Sequence, residues 1–324
     1  MNHLKMLLKR EFWEHRGGFL WAPVWTAGFF LVATLMGWIW AEFIGSGKFN
    51  GEVHVGIPLK MLMQKIPPEE IAKVAFGLDL SLVIFWGVIH VVLFFVLFFY
   101  LIGALYDDRK DRSVLFWKSL PISDLQTVLS KAIAAAFLAP LISWAVSVLM
   151  SAAFLILLSI MTGVHGINPI TTIWGPAEPL TVWTKLLLMV PINALWALPA
   201  IGWLLLASSF ARSKAFVWAV LAPILLGLLV MWIDMFQGFK VPDTWFMTHV
   251  VWRILLSIVP GSWAFWGDNE LQVLQMKDGD PVGLLAWNSL LSPLAMPEIW
   301  IGAVAGIAMI AGAVYYRRWR EVAD

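Results

Sequence analysis

The sequence predicts an all-α, polytopic integral membrane protein with six transmembrane helices. Hydrophobic residues make up 60% of its 324 residues and charged residues 13%, about half the charged share that is usual in soluble domains. The apolar residues form runs close to the ~20 residues that a helix needs to cross a bilayer. There is no cysteine, which excludes disulfides and thiolate chemistry.

Six apolar runs are the candidates for the transmembrane helices: 19–44, 78–105, 128–160, 186–210, 215–236 and 298–316. The third is longer than an untilted helix needs, so either Pro140 bends it or its first turns lie in the cytoplasm. A seventh run, 245–266, contains Arg253, and an unpaired Arg at mid-bilayer costs at least about 2.5–3.5 kcal/mol. We interpret it as an interfacial helix with four tryptophans at headgroup level: Trp245, Trp252, Trp263 and Trp266.

The distribution of Lys and Arg predicts that both termini face the cytoplasm. With the N-terminus inside, the cytoplasmic segments hold most of the 22 bases: Lys5, Lys9, Arg10, Arg16, Arg109, Lys110, Arg112, Lys118, Lys131, Arg212, Lys214, Arg317, Arg318 and Arg320. We treat residues 1–324 as a single transmembrane domain. Its predicted parts outside the spans are a cytoplasmic amphipathic helix at 1–18, a cytoplasmic loop at 106–124 and an extracytoplasmic segment at 237–297.

The N-terminal helix is predicted to anchor the chain at the membrane surface. Its apolar residues share one helical face: Met1, Leu4, Leu7, Leu8 and Phe12. Glu11 and His15 interrupt that apolar stripe.

The segment LYDDRKDRSVLFWKSLPISDLQTVLSK, residues 105–131, concentrates charge between the second and third spans. Pro121 limits SVLFWKSL to about two helical turns, and Ser123 with Gln126 predicts a capping box that opens the next helix. Phe116 and Trp117 fit two interpretations. They insert into the lipid interface while the neighbouring bases meet anionic headgroups, or they form an aromatic anchor that docks a soluble partner.

This segment resembles the cytoplasmic loop of ABC transporter permeases of the exporter type, the ABC type-2 membrane family. In that family the loop forms a coupling helix that lies in a groove of the ATP-binding subunit. The matching residues are Asp108, Arg109, Lys110, Leu115, Ser119, Leu120, Pro121, Ser123 and Lys131. The resemblance extends over the rest of the chain as topology only.

The resemblance implies a permease subunit in a bacterial cytoplasmic (inner) membrane that couples ATP hydrolysis by a separate subunit to substrate movement. It implies two copies of the ATP-binding subunit, which hold ATP and Mg, and a second permease chain that is either a copy or a sibling. No cofactor is expected in this chain, which has no G-x-x-x-x-G-K-[ST] loop; membrane lipids are expected partners and nucleic acid is not. The implied ATPase-coupling residues are Asp108, Arg109, Arg112, Phe116, Trp117, Ser119, Pro121, Arg212 and Lys214.

Four residues inside the spans are candidates for a gate or substrate path: His90, Pro191, Asn193 and Pro199. Intramembrane His residues serve in proton relays, and prolines bend helices in transporters. For His90, a hydrogen bond in helix packing is the favoured interpretation, and a static kink explains the prolines equally well. The alternatives to a permease are a secondary transporter or channel that works without an ATPase, which would need paired intramembrane charges or inverted repeats, and an intramembrane enzyme.

Overall fold

The computed structural model describes residues 3–43, 68–112, 114, 121–237, 245–265 and 287–319. Every regular element among these residues is helical, so the all-α prediction is confirmed. The α-helices are α1 (His3–Glu14), α2 (Ala22–Phe43), α3 (Pro68–Gly103), α4 (Tyr106–Lys110), α5 (Asp124–Ile133), α6 (Ala139–Val164), α7 (Pro179–Phe210), α8 (Ala222–Gln237), α9 (Arg253–Leu256), α10 (Trp287–Ala295) and α11 (Pro297–Trp319).

Within the described residues, five helical stretches are long and apolar enough to cross a membrane. They are Gly17–Trp40, Val74–Lys110, Asp124–Val164, Pro179–Phe210 and Pro297–Trp319. They correspond to five of the six predicted spans, and together they indicate a membrane-embedded protein. The remaining apolar helix, Val217–Ile233, is shorter, so the count of six stays a prediction.

The helix α7 lies at the centre of the bundle. In its most apolar stretch 67% of the residues are buried inside the protein, compared with 33% or less in the other four candidate spans. Trp196, at the middle of α7, is completely buried. The outer helices instead expose large apolar side chains such as Trp25, Leu149 and Val304, as expected for surfaces that face lipid.

The most extensive helix–helix contact joins α7 to α11, and glycines make it possible. Gly302 and Gly306 form a G-x-x-x-G pattern on α11, which lets two helix backbones approach closely. A Cβ added at Gly202 of α7 would lie 2.5 Å from the carbonyl oxygen of Gly306. A Cβ added at Gly306 would overlap the backbone of Leu198. The backbones of α7 and α11 are therefore in direct contact.

Replacing Gly306 with Ala is expected to lower the free energy of unfolding by about 1–3 kcal/mol, because the added methyl group meets rigid backbone. The measurement is thermal or denaturant unfolding of the purified protein in detergent. Gly87→Ala on α3 is the matched control, since no atom lies within 4 Å of its added Cβ. Equal stability of the two variants would contradict the close contact.

Three helical stretches contain a π turn that ends just before an Ala-Pro pair. The turns are Gly17–Trp21, Ala134–Leu138 and Val217–Leu221, and each is followed by Ala-Pro. Proline has no N–H and crowds the preceding turn, so a locally wider turn accommodates it. The second of these turns lies within the long third span: α5, the π turn and α6 form one helical stretch, Asp124–Val164, with the π turn just before Pro140.

The described part of the predicted extracytoplasmic segment packs onto α7. Helix α9 and the π turn before it, Met247–Trp252, bury Val251 and Leu255, and Met247–Leu256 is too short to count as a candidate span. Arg253 is buried: its guanidinium carbon lies 4.0 Å from the Trp196 ring centroid, and its Nη2 donates to the Glu298 carbonyl at 2.7 Å. This cation–π contact and hydrogen bond stabilise the charge that made the segment unsuitable as a span.

The tryptophans of this segment do not all face outward. Trp245 and Trp252 are exposed, as predicted for residues at headgroup level. For Trp263 that prediction is wrong, because the side chain is 3% exposed and packs edge-on to Trp196 at 6.4 Å. Trp266 lies outside the described residues.

Candidate functional site

A cluster of buried charges lies at one end of the bundle, which we call the charged end. Glu11 of α1 is completely buried, and its Oε1 lies 3.3 Å from Nζ of Lys131 on α5. The hydroxyl of Tyr100 on α3 donates to Glu11 Oε2 at 2.7 Å. Two opposite charges and a hydroxyl therefore stabilise one another in a buried position.

The cluster continues toward the last span through Asp108. Nζ of Lys131 lies 3.7 Å from Asp108 Oδ2, and Nη1 of Arg317 lies 3.2 Å from the same oxygen. Nε of Arg317 donates to Asp124 Oδ1 at 3.1 Å. The chain of contacts Glu11, Lys131, Asp108, Arg317 and Asp124 thus joins α1, α4, α5 and α11.

The local sequence explains why α5 begins at Asp124, a member of this cluster. Ser123 Oγ accepts from the Gln126 amide at 3.2 Å, and the Ser123 amide donates to Gln126 Oε1 at 3.3 Å. The predicted capping box is confirmed. It places Asp124 in the first turn, where a carboxylate is favoured, and Lys131 in the last turn of α5.

His15 lies at the edge of the cluster, just before the first span. Its Nε2 is 3.9 Å from Glu11 Oε2, and its ring packs edge-on to Tyr100 at 4.7 Å. Burial lowers the pKa of His15, against a smaller raising effect from Glu11. A cleft of about 470 Å³ opens beside His15 and reaches Asp108 and Lys131, so the cluster has one opening to its surroundings.

The predicted coupling loop is fixed at its start to the end of α7. Ser208 Oγ accepts hydrogen bonds from the backbone amides of Leu105 at 3.0 Å and Tyr106 at 2.9 Å. Nη2 of Arg109 donates to the carbonyls of Ser208 at 2.6 Å and Ala211 at 3.0 Å. These contacts connect the loop after the second span to the loop after the fourth.

Asp108 and Arg109 are buried, whereas residues that dock a partner must be exposed. Their exposed fractions are 7% and 3%, and both side chains bond to groups of the same chain. A direct contact with a soluble partner would have to break those bonds. In this structure they position the loop instead of forming its outer surface.

Other predicted coupling residues are on the surface of the charged end. Arg112, Pro121, Arg212 and Lys214 are exposed. Arg112 has a φ of 55° and Lys214 a φ of 47°, and these are the two non-glycine residues with positive φ in the described part of the chain. This left-handed conformation costs roughly 1–2 kcal/mol, and such strain clusters at functional sites. Phe116, Trp117 and Ser119 lie outside the described residues.

The structure brings together two of the four predicted gate residues. His90 and Asn193 line the same small cavity between α3 and α7. Pro199 is buried on the face of α7 toward α11, whereas Pro191 is exposed. The hydrogen bond predicted for His90 forms within its own helix, from Nδ1 to the Trp86 carbonyl at 2.8 Å, and not between helices.

Sequence reasoning missed several residues of the charged end. Glu11 was noted only as an interruption of an apolar stripe, yet a carboxylate in such a stripe signals a buried partner. Arg317 was counted only for orientation, and Ser208 was not distinguished from its neighbours. Their hydrogen-bond partners lie 89 or more residues away along the chain, so no local pattern identifies them.

Comparisons of the chain with protein-family models, curated proteins and solved structures gave no match.

Proposed function

We propose that this protein is the membrane-spanning permease subunit of an ABC transporter of the exporter type. A separate ATP-binding subunit hydrolyses ATP, and the permease uses that energy to move a substrate across the membrane. The movement of the ATP-binding subunit is transmitted to the permease through two segments, residues 106–124 and the loop containing Arg212 and Lys214.

One observation carries the proposal: the start of the loop that resembles a coupling helix is bonded to several helices of the bundle. Asp108, at its start, bonds to the third span through Lys131 and to the last span through Arg317. Arg109, beside it, bonds to the end of the central helix at Ser208. A force applied to this loop therefore acts on several spans at once, as coupling to an ATPase requires.

In the proposed topology six helices cross a bacterial inner membrane and both termini are cytoplasmic. Val217–Ile233 is the fifth span, and its 17 residues are at the lower end of what a bilayer requires. The charged end then faces the cytoplasm, where the N-terminal helix, the loop and the last turn of α11 meet. A second permease chain, a copy or a sibling, completes the transporter.

The rival function is a secondary transporter or channel that acts alone. The strongest group of buried charges in the described residues lies at the end of the bundle, whereas ion-coupled transport requires charged or polar sites near mid-depth. His90 and Asn193 lie inside the spans but do not form a pair of charges, so the placement of the paired charges favours coupling at the surface of the membrane.

Replacing Trp117 or Phe116 with Ala is expected to weaken binding of the ATP-binding subunit by about 2 kcal/mol or more. A helix of two turns buries few side chains, so its aromatic pair supplies most of the contact energy, while Arg112 guides orientation. The measurement is pull-down of the ATPase together with ATP turnover of the purified complex.

Trp319→Ala and Lys185→Ala are the controls for this experiment. Trp319 is an exposed aromatic residue at the charged end, and Lys185 lies near the opposite end of α7. Neither change is expected to alter binding. If the Phe116 and Trp117 variants kept full assembly and turnover, the aromatic pair would be a lipid anchor. If wild type bound no ATPase, the rival function would be favoured.

A further inference from the structure

A small cavity lies within the bundle, and most of the side chains that line it are apolar. Its two polar lining residues are His90 of α3 and Asn193 of α7, and Ala136 and Pro140 of the third span and Pro260 after α9 also contribute. The space open to the centre of a water molecule is about 10 Å³. That is the volume of about one water-sized sphere, so the cavity is too small for an ion with its hydration shell or for a substrate.

Asn193 supplies an unsatisfied hydrogen-bond acceptor to this cavity. The residue is 7% exposed, and its Oδ1 makes no hydrogen bond within the described part of the chain. A buried amide oxygen without a partner costs about 1–3 kcal/mol, so such groups are rarely left unsatisfied in proteins.

His90 supplies a second acceptor. A carbonyl oxygen can only accept, so the contact between Nδ1 and the Trp86 carbonyl places the imidazole proton on Nδ1. His90 is 3% exposed, and no carboxylate from the described residues lines the cavity, so the neutral ring is the stable form. Its Nε2 then carries a lone pair and accepts.

Two acceptors cannot bond directly to each other, but a molecule with two donor hydrogens can bridge them. We propose that the cavity is a binding site for a single water molecule that donates one hydrogen bond to His90 Nε2 and one to Asn193 Oδ1. The water links His90 of the second span to Asn193 of the fourth.

The direct test is water-edited solid-state NMR on ¹⁵N-histidine-labelled protein in lipid bilayers. The His90 signals are assigned by their loss in His90→Phe. We expect a neutral ring protonated at Nδ1 and rapid magnetisation transfer from water to Nε2. Transfer as slow as that to buried apolar side chains would overturn the proposal, as would a ring protonated at Nε2. This measurement requires no change at Asn193.

Asn193→Leu gives a second test, because the melting temperature is expected to change in opposite directions with and without the bound water. If the water is present, Leu displaces it and leaves His90 Nε2 without a donor, so the melting temperature falls and transfer to His90 is lost. If the cavity is dry, Leu removes an unsatisfied amide and fills the space, so the melting temperature rises. Leu195→Ala on the same helix is the comparison for general loss of packing and is expected to leave the transfer to His90 intact.

Discussion

Replacing Lys131 with Met is expected to lower the free energy of unfolding by about 3–5 kcal/mol, because it leaves carboxylates without their partner inside the protein. Lys131 is 2% exposed and its ammonium lies within 4 Å of both Glu11 and Asp108. Among the described residues, Asp108 keeps Arg317, whereas Glu11 keeps only the Tyr100 hydroxyl and the more distant His15. The carboxylate left without a cationic partner is therefore mainly that of Glu11. Denaturant unfolding in mixed micelles measures the change in the free energy of unfolding.

The double variant Glu11→Leu/Lys131→Met tests whether the lost stability comes from breaking the ion pair or from disrupted packing. Removing both charges leaves no unpaired ion at this position, so the double variant is expected to recover much of the lost stability. Lys9→Met is the surface control, since Lys9 is exposed on the same end of the bundle. If Lys131→Met behaved like Lys9→Met, the buried ion pair would not contribute to stability.

The pairing of Glu11 with Lys131 shows what local sequence can and cannot predict here. The capping box at Ser123 was predictable because its two partners are three residues apart and the pattern has a local physical cause. The ion pair joins α1 to α5 across 120 positions. The sequence marked Glu11 as an anomaly in an apolar stripe, but only the packing of α1 against α5 identifies what neutralises it.

The predictions of transmembrane spans show the same contrast between features of one segment and features that depend on several helices. Apolar runs identify helices that can cross a membrane because length and hydropathy are properties of one segment. Which helix lies at the centre depends on the other helices, and α7 is no more apolar than its neighbours. The close contact of Gly202 with Gly306 also requires both helices to be known. His90 and Asn193 were recognisable as polar residues in apolar runs, but not as neighbours.

The two loops of the charged end are structurally connected, which gives the proposed coupling a physical basis. Arg109 starts the longer loop and bonds to Ser208 and Ala211, the residues that lead into Arg212 and Lys214. A displacement of either loop is therefore transmitted to the other. In the proposed complex, exposed residues form the surface that binds the ATPase, and the buried residues hold that surface in place.

Replacing Arg109 with Met is expected to separate these two loops. Three charge-assisted hydrogen bonds to backbone carbonyls are lost, one to Leu105 and two to the end of α7 at Ser208 and Ala211. The two bonds to the end of α7 together contribute about 3 kcal/mol of stability. Spin labels at Arg112→Cys and Lys214→Cys report the distance between the loops, and the natural absence of cysteine keeps the labelling specific. We expect a single narrow distance distribution in the parent protein and a broad one after Arg109→Met.

Lys110→Met is the matched control for Arg109→Met, because Lys110 is the neighbouring base and is exposed. It is expected to leave the distance distribution narrow. Ser208→Ala removes the hydroxyl that accepts from the Leu105 and Tyr106 amides, so it is expected to broaden the distribution in the same direction as Arg109→Met. An unchanged distribution in both Arg109→Met and Ser208→Ala would show that the loops are held by other contacts, and the role of Arg109 in transmitting movement between them would be rejected.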